Sequence, residues 1–319
     1  MYPIGVVGPG SERLVERLAE HLAGHGTVGV IANRRGDEGD RGDPATNEHS
    51  TDGGAAVTDS SMGDLDRYQR VGVKTVYGLD ERGWSARGEG TDLREALYAI
   101  APTCEFCIVD GTTGDDENPG IALPQVVLGD SAEAAEPAAN PDRGANANGN
   151  RGSAASTRPI LARAPDPEAI DLDELREALC DTEPIETLES LVERTKGSPQ
   201  APESGAIATF TGRVRAREGS EDTPTEFLEF EKYEGVAEER MGQISAELEE
   251  RAGVKEVRMH HRSGRIEYGE DIVFVVVLAG HRGEAFETVE DGIDRLKAEV
   301  PIFKKEATID EQFWVHDRP

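Results

Sequence analysis

The sequence predicts two domains of different class: an N-terminal α/β domain on a parallel sheet, and a C-terminal α+β domain, from about residue 204 onward, in which helices cover an antiparallel sheet. Three observations carry this. In the first half, continuous apolar runs alternate with helical patterns, as strands buried on both faces do. Residues 130–157 are almost wholly Ala, Gly, Asn, Asp, Glu and Ser, too poor in apolar surface to order themselves, which marks a flexible linker or insertion. Beyond 204, strand patterns follow one another across short turns and only two helical patterns intervene, as antiparallel pairing requires. A chain of 319 residues is long enough to bury two cores.

Taken in order, Ile4-Gly5-Val6-Val7-Gly8 is a short apolar strand, Pro9-Gly10-Ser11 a turn, and Leu14, Leu18 and Leu22 the stripe of an amphipathic helix. Val28 to Ala32 is a second strand. Arg34 to Ser61 is polar and rich in Gly and Asp, so a mobile loop is expected there. Further alternation runs through Val76, and Phe106 to Gly111 is a buried parallel strand ending in an acidic residue. Gln125 to Leu128 and Pro159 to Ala164 add short apolar runs, and helical patterns follow at Leu172 to Leu179 and Leu188 to Val192. The first domain is thus expected to occupy residues 1–129 and 158–197, closed by the Gly197-Ser198-Pro199 break.

In the second domain, residues 204–319, strands are expected at Ala206 to Val214, Phe227 to Tyr233, Val257 to Ile266, Ile272 to Ala279 and Ile302 to Thr308. Helices are expected at Val236 to Arg251 and Gly283 to Glu299. The second helix carries Phe286, Val289, Ile293, Leu296 and Val300 at helical spacing, and Pro301 enforces its end.

Acidic residues outnumber basic ones 64 to 34, and the net charge of −30 is spread along the chain. Nucleic acid is therefore excluded as an expected partner. Acidity this even, joined to periodic apolar segments, suits a folded protein kept hydrated in strong salt, where charges are screened. Neither a membrane-length apolar run nor a signal peptide pattern is present, so a cytoplasmic protein is expected. Three cysteines, Cys104, Cys107 and Cys180, make no disulfide framework. Cys104-Glu-Phe-Cys107 has redox or metal spacing, but no second pair or suitably spaced histidines complete a zinc site, and burial is the plainer reading.

The candidate chemistry lies in the second domain. The chain has 27 arginines and seven lysines, and three of the seven, Lys297, Lys304 and Lys305, fall within nine residues. An ammonium can lose its proton where a guanidinium effectively cannot, which suggests proton transfer or amine chemistry. Solvated lysines meeting a helix dipole are the alternative. His281-Arg282 sits where a strand hands over to a helix, a place suited to phosphate. Arg213-Val214-Arg215 puts two arginines on one strand face just after Phe210-Thr211-Gly212. Cationic groups from three elements of an acidic chain point to a pocket for an anionic small molecule.

Four stretches, Gly205-Ala-Ile-Ala-Thr-Phe-Thr-Gly-Arg-Val-Arg215, His260-His-Arg-Ser-Gly-Arg-Ile-Glu-Tyr-Gly269, His281-Arg-Gly-Glu-Ala-Phe286 and Lys297-Ala-Glu-Val-Pro-Ile-Phe-Lys-Lys-Glu-Ala307, resemble the MoaE family, the large subunits of molybdopterin synthase. The Phe313-Trp314-Val315 ending is also similar. The resemblance implies an α/β hammerhead fold and a homodimer within a heterotetramer. Each protomer would receive the tail of a ubiquitin-like small subunit ending in a glycine thiocarboxylate. It further implies sulfur transfer from that tail to cyclic pyranopterin monophosphate, forming the dithiolene of molybdopterin without a metal or other cofactor. Carried over by position, Lys297 and Lys304 would be catalytic. Phe210, Arg213, Val214, Arg215, His281, Arg282, Lys305 and Glu306 would bind or flank the substrate. One departure is Lys305, where relatives commonly have arginine.

The first domain resembles MobB, a P-loop protein that assists guanine dinucleotide attachment to the finished cofactor, in Gly5-Val-Val-Gly8, Asp66-Arg-Tyr-Gln-Arg-Val-Gly72 and Ile108-Val-Asp-Gly111. Its turn, Gly8-Pro-Gly-Ser-Glu-Arg13, is short and lacks the Lys-Ser/Thr of a P-loop, so the expected fold is P-loop-like with a degenerate loop. Two other functions stay open: a module that binds pterin or a ubiquitin-like protein without catalysis, its lysines being conjugation sites, and a GTP-dependent accessory role for the first domain.

Overall fold

The computed structural model describes residues 1–33, 74–80, 83–88, 91–111, 123–129, 159–217, 219, 223–233, 235–308 and 312–315. The chain divides into two compact units: one of residues 2–100 and 104–184, the other of residues 1, 101–103 and 185–319. The expected loop from Arg34 to Ser61, the linker at 130–157 and the Asp66 to Gly72 stretch lie outside the described residues. No helix among the described residues is long and apolar enough to cross a membrane.

Along the first unit come β1 (Tyr2–Val7), α1 (Ser11–Ala23), β2 (Val28–Ala32), β3 (Thr75–Asp80), β4 (Gly83–Gly88), α2 (Leu93–Ile100), β5 (Phe106–Asp110), β6 (Gln125–Leu128), β7 (Ile160–Ala164) and α3 (Leu172–Cys180). Five strands form a sheet in the order β2-β5-β1-β6-β7, with every pairing parallel. Its centre explains the apolar runs: Phe106, Cys107, Ile108 and Val109 of β5 are all buried, as are residues 3–6 of β1. Leu14, Val15, Leu18 and Leu22 of α1 pack with Ile4, Val6, Ile108 and Val126 of the sheet and with Leu175 and Leu179 of α3. Gly8, in the turn after β1, has φ +108°, and a Cβ there would overlap the carbonyl oxygen of Leu128. That turn is held by packing against the end of β6. The β3–β4 hairpin, which is antiparallel, has no counterpart in the sequence reading.

The second unit contains α4 (Leu188–Lys196), β8 (Ala206–Arg213), β9 (Thr225–Lys232), α5 (Val236–Glu249), β10 (Val254–His261), β11 (Gly264–Glu267), β12 (Asp271–Ala279), α6 (Arg282–Glu299), β13 (Ile302–Thr308) and β14 (Gln312–Val315). The α+β class is as expected, but the strands form two antiparallel sheets, β10-β12-β8 and β11-β9-β13-β14. The expected single strand from Val257 to Ile266 is two strands, one in each sheet. Gly264, with φ +76°, redirects the chain, and the N–H of Arg262 donates to the Ile272 carbonyl at 2.8 Å before β11 departs to pair with β9. Both sheets share a core with α5 and α6, built from Ala208, Val275, Val277, Leu228, Phe230, Ile244, Leu248, Ile293 and Leu296, among others.

Two expectations need correction. The helix at Leu188 to Val192 does not close the first unit, which ends at Pro184. In α4, Leu191 is buried against Phe274 and Val276, with Leu188 and Val192 packed around them, on the face of β12 opposite α6. Covered on both sides, β12 has eight of its nine residues buried and reads as one apolar run. In α6, Phe286 is not in the core: it is 66% exposed. The buried stripe is Ala285, Thr288, Val289, Gly292, Ile293 and Leu296. Gly292 lets the helix approach the sheet, since a Cβ there would lie 3.1 Å from both Met259 and Val275, and this seating turns Phe286 outward.

Candidate functional site

The last turn of α6 lies over β8, where the Lys297 ammonium is 5.9 Å from the centroid of the half-buried Phe210 ring. Pro301 then ends the helix and β13 begins, its Ile302 opposite Lys232 and its Lys304 opposite Phe230 of β9. Directly opposed residues of an antiparallel pair share a face, so Lys304 projects on the side that Phe230 gives to the core. Phe210 packs against that same core. Lys297 thus lies beside Phe210, and Lys304 projects on the side of the core against which Phe210 also packs.

What distinguishes these two among the lysines of the second unit is electrostatic. Lys196, Lys232, Lys255 and Lys305 each have a carboxylate partner, Glu193, Glu238, Glu203 and Glu229 respectively. Among the described residues Lys297 and Lys304 have none. Of the acidic groups near the end of α6, Glu299 is already engaged, while Asp294, three residues before Lys297, makes no ion pair among the described residues. Arg295 donates to Glu299 at 2.8 Å, and together with Arg240 it holds the Glu299 carboxyl down to about 2. Asp291, further back on the helix, pairs with Arg251.

The expected arginines sit where β8 ends. Arg213 is exposed, with its Nε 3.2 Å from Asp271 and donating to the Gly269 carbonyl at 3.1 Å. Arg215 is exposed two residues on. Val214 does not face a pocket: it is 2% exposed within the core, its N–H donates to Glu270 and its carbonyl accepts from Gly269. On β13, Lys305 lies 3.2 Å from Glu229, its cross-strand neighbour, and Glu306 accepts from the Thr225 hydroxyl. Both are braced inside the sheet. The sequence reading missed Asp271, Gly269, Glu229 and Thr225, because nothing local announces partners that only register brings alongside.

His281 and Arg282 lie elsewhere. His281 is the exposed N-cap of α6 and Arg282 its first residue, whereas Lys297 is on the last turn. Sixteen residues at 1.5 Å each separate His281 from Lys297 by about 24 Å along the axis. The cationic groups of one chain therefore do not converge on a single anion, contrary to the simplest reading of the sequence. As for the Cys-x-x-Cys pair, Cys107 is buried in the centre of β5, and burial pushes its thiol up to about 12, so it holds its proton at neutral pH.

The MoaE protein family model matches residues 180–299. A Haloferax volcanii protein described as "Probable molybdopterin synthase" is 44% identical over 319 residues, a match covering all of both chains. The chain belongs to the molybdopterin synthase family. Its role is accordingly in molybdenum cofactor biosynthesis. A molybdopterin synthase catalytic subunit from Yersinia pestis is 38% identical over 119 residues, 37% of this chain and 78% of that one. The crystal structure of molybdopterin synthase from Staphylococcus aureus is 33% identical, covering 42% of this chain and 93% of that one, with a TM-score of 0.37. In this molybdopterin synthase family member the matched segment begins at the last residue of α3 and ends at Glu299, so it includes Phe210, Arg213, His281 and Lys297, while Lys304 lies just beyond it.

Proposed function

We propose that the second unit transfers sulfur, in two successive steps each consuming one C-terminal thiocarboxylate of a ubiquitin-like small subunit and leaving it as a carboxylate, to cyclic pyranopterin monophosphate, forming the dithiolene of molybdopterin. Lys297 and Lys304 are the catalytic residues in this reading. The observation that carries it is the pair of ammonium groups that, alone among the described lysines of this unit, are left without carboxylate partners, in a chain with 64 acidic side chains. An unpaired ammonium is available to an incoming anion. It can also give up a proton, so it serves both the thiocarboxylate and the oxygen that leaves as the cyclic phosphate opens. Phe210 lines the apolar side of the site, while Arg213, aimed by Asp271 and Gly269, and Arg215 contact phosphate or the pterin edge. Lys305 and Glu306 act through the sheet, bracing the strand that carries Lys304.

The length of α6 adds a requirement. His281 and Arg282 can meet the same phosphate as Lys297 only from a second copy, so the working form is a homodimer in which the partner's His281 and the partner's Arg282 complete each site, within a heterotetramer with two small subunits. The backbone amides at that helix start would add to the anion site. The enzyme works in the cytoplasm, and its acidity disfavours nucleic acid as a partner.

Reconstitution tests this reading. Purified thiocarboxylated small subunit and cyclic precursor are supplied to the full chain, and dithiolene formation is followed. Wild type is expected to turn over and Lys297→Ala to lose about 100-fold or more in kcat. Equal rates would remove Lys297 from the chemistry, and no turnover in wild type would favour a binding module.

A further inference from the structure

The first unit holds a trio of side chains for which the proposed sulfur transfer has no use. His21 lies in the last turn of α1 and His25 just beyond it, where the chain tightens as the His25 N–H donates to the Leu22 carbonyl at 2.8 Å. Four positions apart, the two imidazoles share a face, with ring centroids 5.3 Å apart. Asp173 reaches them from the first turn of α3, its Oδ1 3.5 Å from Nε2 of His21. That carboxylate is well placed because Asp171, the N-cap of α3, accepts from the N–H groups of Asp173 and Glu174 at 3.0 and 3.1 Å. One ligand atom from each of His21, His25 and Asp173 lies within 4.8 Å of the other two.

A second observation concerns the same place. Nε2 of His21 is buried and makes no hydrogen bond among the described residues beyond its 3.5 Å ion-pair approach to Asp173, and a nitrogen held this loosely gains from a ligand that satisfies it. The cationic side chains of the two helices are engaged elsewhere: Arg13 with Glu168, Arg17 with the Pro167 carbonyl, and Arg176 with Glu177. The C-terminal end of α1 also carries the negative pole of its dipole, which favours a cation.

We propose that His21, His25 and Asp173 bind a divalent first-row transition metal ion, zinc foremost, tying α1 to α3. Two imidazoles and one carboxylate suit such an ion, whereas calcium and magnesium prefer oxygen ligands throughout. Bonds of about 2.0–2.2 Å require the three ligand atoms to close somewhat. His25 and Asp173 are exposed and can make that adjustment by rotamer changes. Three protein ligands leave a fourth position for water. Because the imidazoles must be deprotonated to bind, acid releases the ion, and because the ion binds only the folded unit, it raises that unit's stability.

The test uses tag-free full-length protein, stripped with a chelator and desalted, then titrated with Zn²⁺ by calorimetry and with Co²⁺ by visible absorption. One ion per chain is expected, with a rise in melting temperature in Zn²⁺. His25→Gln and Asp173→Asn, both at exposed positions outside the core, are each expected to weaken affinity about tenfold or more and to abolish the thermal shift. Absence of binding by wild type at micromolar ion would overturn the proposal. So would unchanged affinity and stoichiometry in the double variant, since the ion would then sit at another of the chain's seven histidines.

Discussion

Lys304 projects from β13 beside Phe230, with no ion pair among the described residues, and its usefulness rests on an amine that can exchange its proton. Lys304→Arg keeps the charge and removes that exchange, so kcat for dithiolene formation should fall about 100-fold or more while KM for the precursor changes little. A variant with near-normal kcat would show that the position needs only positive charge. Residue types at this scale were partly legible in the sequence. A chain that uses arginine for most of its positive charge and keeps lysine at 297 and 304 drew attention to those positions, and structure then set them apart from Lys305 by pairing the latter with Glu229. Val214 was less legible: it lies between two exposed arginines, so period-two alternation itself sends its side chain into the core. The His21-x-x-x-His25 spacing can be read directly, whereas Asp173 comes from 148 positions further on.

Among the elements, α6 does most to position the candidate site, because its close seating on β8 and β12 determines where Lys297 emerges. Gly292 permits that approach. Gly292→Val would press a branched side chain against Met259 and Val275, costing about 1–3 kcal/mol and lowering Tm. A stability unchanged by this substitution would mean that the helix is not held as tightly as the contacts require. Helices and strands were largely legible from periodicity, since each buries one stripe or face. Sheet membership was not. Arg262-Ser263-Gly264 looks like a minor interruption of one strand, yet Gly264 sends β11 into the other sheet. Likewise the apolar face of α4 shows in the sequence without naming its partners, Phe274 and Val276, some 80 residues on.

For the whole molecule, a net charge of −30 spread over the chain implies self-repulsion that salt relieves. Tm should therefore fall progressively as salt is lowered from molar concentrations to about 0.1 M, where the Debye length lengthens from about 3 to about 10 Å. A flat response would mean that ion pairs within each unit already neutralise the repulsion. That the chain holds two units was legible from its length and the change of pattern near residue 204, though not their boundary, and the length of α6 was legible too, but its consequence emerges only when the helix is seen whole: His281 and Lys297 occupy opposite ends. The measurement that bears most directly on the proposed composite site is subunit complementation in the reconstituted reaction. Lys297→Ala and His281→Ala chains, each strongly impaired alone, are unfolded together, refolded as a mixture and assayed. Random pairing places one intact site in each mixed dimer, so activity should recover to roughly a quarter of wild type. Activity no greater than the average of the two parents would contradict a site shared between copies.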